Sequence, residues 1–203
     1  MATDAYMVFT PYSGSFQLSE SQVEFSSDEQ GSTLGKGIAD QKTMAVTGGK
    51  ITGFGQVFEV EDYSFDIEQA LNIGSQSGGA GAGRVTFNPF SITRKIDNAS
   101  PSLYQRCCAG TAFKQVSLGL RKSVGGTTSG LFFLRFDFKL VAVKTISWSH
   151  DEESPKETVT FEYGAMIIRY LPQQPDGTLY GTVAQGGWNR IKNKEDIDPS
   201  ATI

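Results

Sequence analysis

Apolar and polar residues alternate with a period of two along most of this chain, which is the period of a strand with one face turned towards a core. The clearest run is Leu131 to Val143: Leu134, Phe136, Phe138, Leu140 and Ala142 fall on one side, and Arg135, Asp137, Lys139 and Val141 on the other. Val116, Leu118 and Leu120 alternate in the same way with Ser117, Gly119 and Arg121. Val159 to Tyr170 sets Phe161, Tyr163, Ala165 and Ile167 against Met166, Ile168 and Tyr170. Apolar on both faces near its end, that strand is either central or at an interface. Val57 to Ile67 puts Tyr63 and Phe65 on one face and Ser64 on the other, because side chains alternate along an extended chain. Tyr6 to Leu18 reads as a first strand or bent pair, with Pro11-Tyr12-Ser13-Gly14 as a turn or bulge. Val124 to Gly130 reads as a hairpin turn, and Ser149 to Glu157 as an exposed acidic turn.

A helix is clearly signalled in one place. Ser91 to Ile96 ends a strand, and Ser100-Pro101 then offers an N-cap followed by a proline at the first helical position, where its missing N–H costs nothing. Leu103, Tyr104, Cys107 and Cys108 fall at helical spacing, and Gly110 stands where a left-handed cap would end a helix of about ten residues. The pattern therefore predicts one short helix clamped between the strands of an antiparallel system.

Two stretches depart from the alternation. Residues 19–56 are polar and glycine-rich and read as a long excursion, with a loose hairpin around Thr47-Gly48-Gly49-Lys50. A loop this long in a compact domain is usually functional or ordered by a partner. Gly74 to Gly83 leads into Arg84-Val85-Thr86-Phe87, a strand, and lacks the Gly-Lys-Ser/Thr ending and helix start of a phosphate loop, so it reads as an interstrand link.

The length of 203 residues suits one domain, 1–203, able to bury roughly 70% of its extended-chain surface. Gly 23, aromatic 11% and charged 20% suit an all-β globule with glycine turns and a phenylalanine core. A net charge of -4 argues against a nucleic-acid partner. Met1 to Thr10 has no basic start or apolar run of a signal peptide, and no stretch approaches a membrane span. The expectation is a protein folded in the cytoplasm without membrane insertion, exported only by a machine that reads no N-terminal signal. Cys107 and Cys108 are helix neighbours poorly placed to bridge each other, and read as small buried apolar side chains. The single histidine, His150, lies in an acidic run, with no partner spacing for a catalytic triad or a zinc site. No catalytic, cofactor-binding or metal residue is assigned, and the chain reads as a non-enzyme.

The order Ser-x-Thr-Arg-x-Ile-Asp, a short Ser-Pro-x-Leu helix ending in Gly, then a strand closing on Leu-x-Leu-Arg-Lys resembles the tube protein of type VI secretion, the haemolysin-coregulated protein family. Here it is carried by Ser91, Thr93, Arg94, Ile96, Asp97, Pro101, Leu103, Gly110, Leu118, Leu120, Arg121 and Lys122. Tyr63-Ser64-Phe65, the glycines from Gly78 to Gly83, Tyr170-Leu171-Pro172-Gln173, Asp176-Gly177 and Gly187-Trp188-Asn189 follow the family order over roughly residues 57–194. The long 19–56 segment is a departure from that family, and its length and polarity suggest that it reaches a neighbouring ring.

The resemblance implies a closed antiparallel β-barrel, tail-tube-like, with one short flanking α-helix. Six copies would form a ring, and rings would stack into a hollow tube that carries small effectors in its lumen. Partners would be the chain itself, the contractile sheath, and spike and baseplate proteins. On that reading Ser64, Arg135, Asp137 and Lys139 are lumen-facing candidates, the three charged residues otherwise facing solvent. Met166, Ile168, Tyr170, Trp188, Asn189, Thr47 and Lys50 are candidates for ring or stack interfaces, Trp188 alternatively plugging the end of its own barrel. A tube of a phage-tail-like contractile particle and a stand-alone β-barrel binding module are the alternatives.

Overall fold

The computed structural model describes residues 3–14, 19–21, 23, 25–39, 46–47, 50–51, 57–72, 81–122, 130–150, 154–174 and 178–196. In chain order the elements are β1 (Thr3–Pro11), α1 (Ser27–Gly31), β2 (Val46–Thr47), β3 (Lys50–Ile51), β4 (Val57–Val60), β5 (Asp62–Ser64), β6 (Ile67–Asn72) and β7 (Gly81–Phe87). Then come β8 (Phe90–Lys95), α2 (Ser100–Ala109), β9 (Phe113–Lys122), β10 (Phe132–His150), β11 (Pro155–Tyr170), β12 (Ala184–Asn189) and β13 (Lys194–Glu195). The fold is mainly β, and its strands pair antiparallel. The main sheet runs β13-β12-β11-β10-β9-β1-β4, and β5 joins it through β8, which pairs with β11. Only Glu61 separates β4 from β5, and its N–H donates to the Thr93 carbonyl of β8 at 2.9 Å. The pairs β2–β3 and β6–β7 stand as separate two-stranded ladders.

The alternation expected along β10 does not run through. Phe136 and Phe138 point into the core, but the next core residues are Val141 and Val143, so Val141 is fully buried and Leu140 only half-buried. Leu140 has φ 49, a left-handed backbone that a leucine rarely adopts. The neighbouring strands change phase at the same level: Val116 then Phe113 in β9, and Met166 then Tyr163 in β11. Because a strand's side-chain period is two, a one-residue offset exchanges its faces. This corrects the expectation that Leu140 and Ala142 share the core face while Val141 opposes them.

The core is built on phenylalanine, with Phe90 stacked on Phe138 at 4.1 Å and on Phe161 at 4.8 Å. Ala99 and Leu103 of the α2 end close it. The N-cap of α2 is Ala99 rather than Ser100, and Pro101 lies one place further in. The reason is that Asp97 already turns the chain, its Oδ1 accepting from the Ala99 N–H at 2.9 Å, while the Ser100 hydroxyl donates to the buried Glu157 at 2.9 Å. Gly110 ends the helix in the left-handed conformation, as expected, with φ 64.

The largest departure is the 19–56 excursion, whose first half is a packed layer. Phe25, Leu34, Ile38 and Ala39 lie against Tyr6, Val8, Val57, Phe132 and Leu171 on the sheet face that turns away from the main core. Strand β9, expected to be half-buried, is therefore buried on both faces from Val116 to Arg121. A Cβ on Gly119 would stand 2.8 Å from Ile38 Cδ1 and from the Phe132 ring, so this layer needs a glycine there. The second helix, α1, begins with a capping box in which Ser26 and Glu29 satisfy each other's backbone N–H. Thr47 pairs with Lys50 as a hairpin around 48–49 requires. Phe16, Leu18, Gly48-Gly49, residues 73–80, 123–129 and 151–153, and Asp176-Gly177 lie outside the described residues.

Candidate assembly surfaces

Strands β5, β8, β11 and β10 lay down an uncovered face rich in hydroxyls. Register sets Asp62, Thr93, Thr158 and Ser147 in one row and Ser64, Ser91, Thr160 and Thr145 in the next. Ser91 Oγ and Thr160 Oγ1 are 3.0 Å apart, Thr93 and Thr158 hydroxyls 3.2 Å, and Ser64 is exposed. Charges sit at the rims of this wall. Lys156 pairs with Glu61 at 3.2 Å, while Glu162 accepts from Lys144 at 2.8 Å and from Arg190 at 3.2 Å. Burial alone would raise the Glu162 carboxyl, but the hydrogen bonds from Lys144 and Arg190 outweigh it and hold the group below its ordinary value.

Arg135, Asp137 and Lys139 belong to the other half of the sheet, where Arg135 meets the 25–39 layer. Asp137 is 0% and Lys139 4% exposed. The Asp137 carboxylate accepts from Gln115 at 3.0 Å, from Arg135 Nε at 3.0 Å, and from Ser117 and Arg169. Arg135 reaches on to donate to the Leu34 carbonyl at 3.2 Å and to that of Lys36. In the single chain Asp137 and Lys139 are buried and Arg135 half-buried, which departs from the expectation that they face solvent. The pattern of the strand correctly set them on the face away from the core; what it could not contain was the cover.

A second arginine clamps the same layer. Arg121 donates to Glu29 at 2.6 Å and to the Tyr6 hydroxyl at 2.7 Å, and its guanidinium lies 4.8 Å over the Tyr6 ring. Burial pushes the Tyr6 phenol up to about 12, an effect that Arg121 partly opposes. Burial would lower Arg121, but its bonds to Glu29 and Tyr6 leave it above its ordinary value.

Along the β11–β12 edge, Met166 stands opposite Trp188, Ile168 opposite Gly186, and Tyr170 opposite Ala184. Met166 is half-buried, while Ile168, Tyr170 and Trp188 are 38%, 44% and 37% exposed, a cluster of large apolar side chains at one rim. Asn189 is not part of that surface: it is fully buried, and its Oδ1 accepts from the N–H groups of Ile191 and Lys192 to shape the following turn. Thr47 and Lys50 lie on the β2–β3 ladder, away from the main sheet's pairing. Sequence reasoning missed Trp148, which is 54% exposed and 6.0 Å from the Tyr104 ring of α2, because β10 continues past Val143 to His150. Among the described residues no group of three or more His, Cys, Asp or Glu is arranged to hold a metal, and no helix is long and apolar enough to cross a membrane.

A family model described as "Type VI secretion system effector, Hcp" matches residues 49–170. The chain belongs to the Hcp family. Protein hcp1 of Pseudomonas aeruginosa is 31% identical over 110 residues, 54% of this chain and 68% of that protein. The fold is similar to a solved structure titled "Structure of a type six secretion system protein" (TM-score 0.70, 20% identity, 96% of this chain and 100% of that one). It is also similar to Hcp1 from Salmonella typhimurium (TM-score 0.57, 20% identity, 97% and 100%). As an Hcp protein the chain is a tube subunit of type VI secretion.

The Hcp motif around Arg94 is structural in this chain. Arg94, 2% exposed, pairs with Asp97 and, at 3.4 Å, with the fully buried Glu157, and lies 4.8 Å over the Phe58 ring. With Ser100 on Glu157, it fastens the start of α2 to β8 and β11. The 25–39 layer lies outside the matched segment.

Proposed function

We propose that six copies of this chain form a ring, and that rings stack into the hollow inner tube of a type VI system, carrying small effectors in the lumen. The observation that carries this reading is the strand path. It runs β4-β1-β9-β10-β11-β8-β5, and Glu61 joins its two ends with a hydrogen bond to β8. That path supports a single closed barrel with a covered and an uncovered half. The uncovered hydroxyl wall, including Ser64, is the lumen surface, since hydroxyls both donate and accept and hold polar cargo without favouring either charge. Asp137 and Lys139 are left out of it, and Arg135 serves the covering layer.

A ring of identical copies is a head-to-tail assembly, with two different complementary surfaces on each subunit. Met166, Ile168, Tyr170 and Trp188 form one subunit contact, and Thr47 and Lys50 belong to the stacking contact. The role is structural rather than catalytic, with sheath, spike and baseplate proteins as further partners. The tube assembles in the cytoplasm and leaves with the machine. Negative-stain electron microscopy of the untagged protein tests this. Uniform rings with a stain-filled centre are expected, and featureless small particles at high concentration would refute the proposal.

A further inference from the structure

A groove of 330 Å³ opens between the strand β4–β5 and the end of β8, lined by Ser19, Glu20, Glu59, Glu61, the Arg94–Asp97 stretch and Ser21. Its lining counts four carboxylates, Glu20, Glu59, Glu61 and Asp97, against two cations, Arg94 and Lys95. Arg94 is almost wholly buried, and its Nη1 has no hydrogen-bond partner among the described residues. Buried as it is, this group belongs to the wall of the groove rather than to its open surface. Ile96, 38% exposed, adds an apolar wall. Asp97 pairs with Arg94 and Glu61 with Lys156, so a guest that fits must bring cations for Glu20 and Glu59 and an apolar side chain for Ile96.

The same chain carries such a segment elsewhere. The turn between β12 and β13, with the first residue of β13, reads Arg190-Ile191-Lys192-Asn193-Lys194, three cations in five positions with no carboxylate between them. Ile191 is 58% exposed, and Lys192 and Lys194 are exposed. Arg190 is held back by Glu162 and the Tyr163 carbonyl, and the turn is shaped from within by Asn189. We infer that the 190–194 segment of one copy seats in this groove of the next, its lysines over Glu20 and Glu59 and Ile191 on Ile96. Groove and turn are different surfaces of one chain, so the contact is head-to-tail and propagates around a ring. The inference rests on the ring reading above and assigns one of its contacts.

The test compares the full-length protein with a groove variant, Glu20→Lys with Glu59→Lys, a turn variant, Lys192→Glu with Lys194→Glu, and the four-fold combination. Ring formation is read by native mass spectrometry across a dilution series at low and high salt, and circular dichroism confirms folding. Each reversal set should raise the concentration needed for rings by on the order of tenfold, the combination should restore it, and salt should weaken the parent rings. If the groove variant fails to fold, the turn variant and the salt series carry the test, since that turn is exposed. Parent rings unmoved by turn reversal and by salt would overturn the inference and leave the ring reading standing. A parent protein that forms no rings at all would overturn both.

Discussion

Replacing Asp137 by alanine removes the anion on which two arginines converge. The carboxylate is 0% exposed, and the side chains of Arg135 and Arg169 are 11% and 10% exposed, so water screens little of what is lost. Arg135 keeps its bonds to the Leu34 and Lys36 carbonyls, but Arg169, whose Nη2 already lacks a partner among the described residues, is stranded. Removing one member of a buried ion pair costs about 3–5 kcal/mol, because the remaining charge is left desolvated. For a chain of this length each kcal/mol lowers the melting temperature by about 2–4 °C, so Asp137→Ala should melt about 6–20 °C below the parent. The surface pair Lys144–Glu162, with side chains 49% and 40% exposed, is the control, and Lys144→Ala should cost at most about 1 kcal/mol. Replacing Asp137, Arg135 and Arg169 together by Leu, Met and Met should recover most of the loss, since buried ion clusters often gain little over well-packed apolar groups. Scanning calorimetry with urea midpoints reads all three. Asp137→Ala and Lys144→Ala shifting alike, or the triple variant falling further than the single, would refute the desolvation argument.

Other expectations follow from the same structure. Tyr6 and Tyr163 are both held up to about 12 by burial, above the ordinary phenol value of 10. Their contribution is therefore complete below pH 10 and is lost as pH rises towards 12, about 2–3 kcal/mol each. In an absorbance titration Tyr6 and Tyr163 should be among the last of the seven tyrosines to ionise, Tyr63 and Tyr104 also being raised, and Tyr6→Phe and Tyr163→Phe should each flatten the alkaline loss of stability. The Tyr163 hydroxyl is buried without a partner among the described residues, so Tyr163→Phe should be neutral or stabilising at pH 7, whereas Tyr6→Phe should cost about 1–3 kcal/mol for the lost Arg121 bond. Gly119→Ala forces a Cβ against Ile38 and Phe132 and should cost about 1–3 kcal/mol, with limited proteolysis cutting the 25–39 layer faster than in the parent. Deleting residues 27–52 should yield aggregates rather than intact rings, because it strips the cover from Tyr6, Val8, Phe132, Arg121 and Arg135; clean rings from that deletion would refute the layer's role.

The parts legible in the sequence were those with local causes. Strand period, the Gly110 cap and the order of motifs from Tyr63 to Trp188 each depend on neighbouring residues, and they led to the right family and a mainly β fold. What escaped was set by contacts between distant segments. The 25–39 layer holds only Phe25, Leu34, Ile38 and Ala39 among polar residues, too sparse to show a period, yet all four are buried because a ready-made sheet face receives them. Its one local signal, the Ser-x-x-Glu capping box at Ser26 and Glu29, was legible in principle. Leu140 gave no signal, since nothing in its own side chain or its neighbours announces a left-handed backbone.

That change of phase at Leu140 decides which surfaces the tube can use. Strands β10 and β11 run the length of the sheet, and without it one face of both would stay outward throughout. With it, and with the register shift between Val143 and Thr145, the outward side chains beyond Leu140 are the hydroxyls Thr145, Ser147, Thr158 and Thr160 with the paired charges Lys144, Lys156 and Glu162 at the rims, while those before it are Arg135, Asp137, Lys139, Ala165, Ile167 and Arg169. Hydroxyls tolerate water or a passing cargo equally well and need no dedicated partner. Charges beneath a protein layer do need partners, and here the layer's own carbonyls at Leu34 and Lys36 and the Glu29 carboxylate supply some of them. The division of the sheet into an open wall and a clamped half therefore follows from the offset shared by β9, β10 and β11 at the level of Leu140 and, in β10, from a second register shift between Val143 and Thr145. The added 25–39 layer consolidates that division by closing the charged half, which on the proposed ring leaves the Trp188 edge and the groove beside Arg94 for subunit contacts.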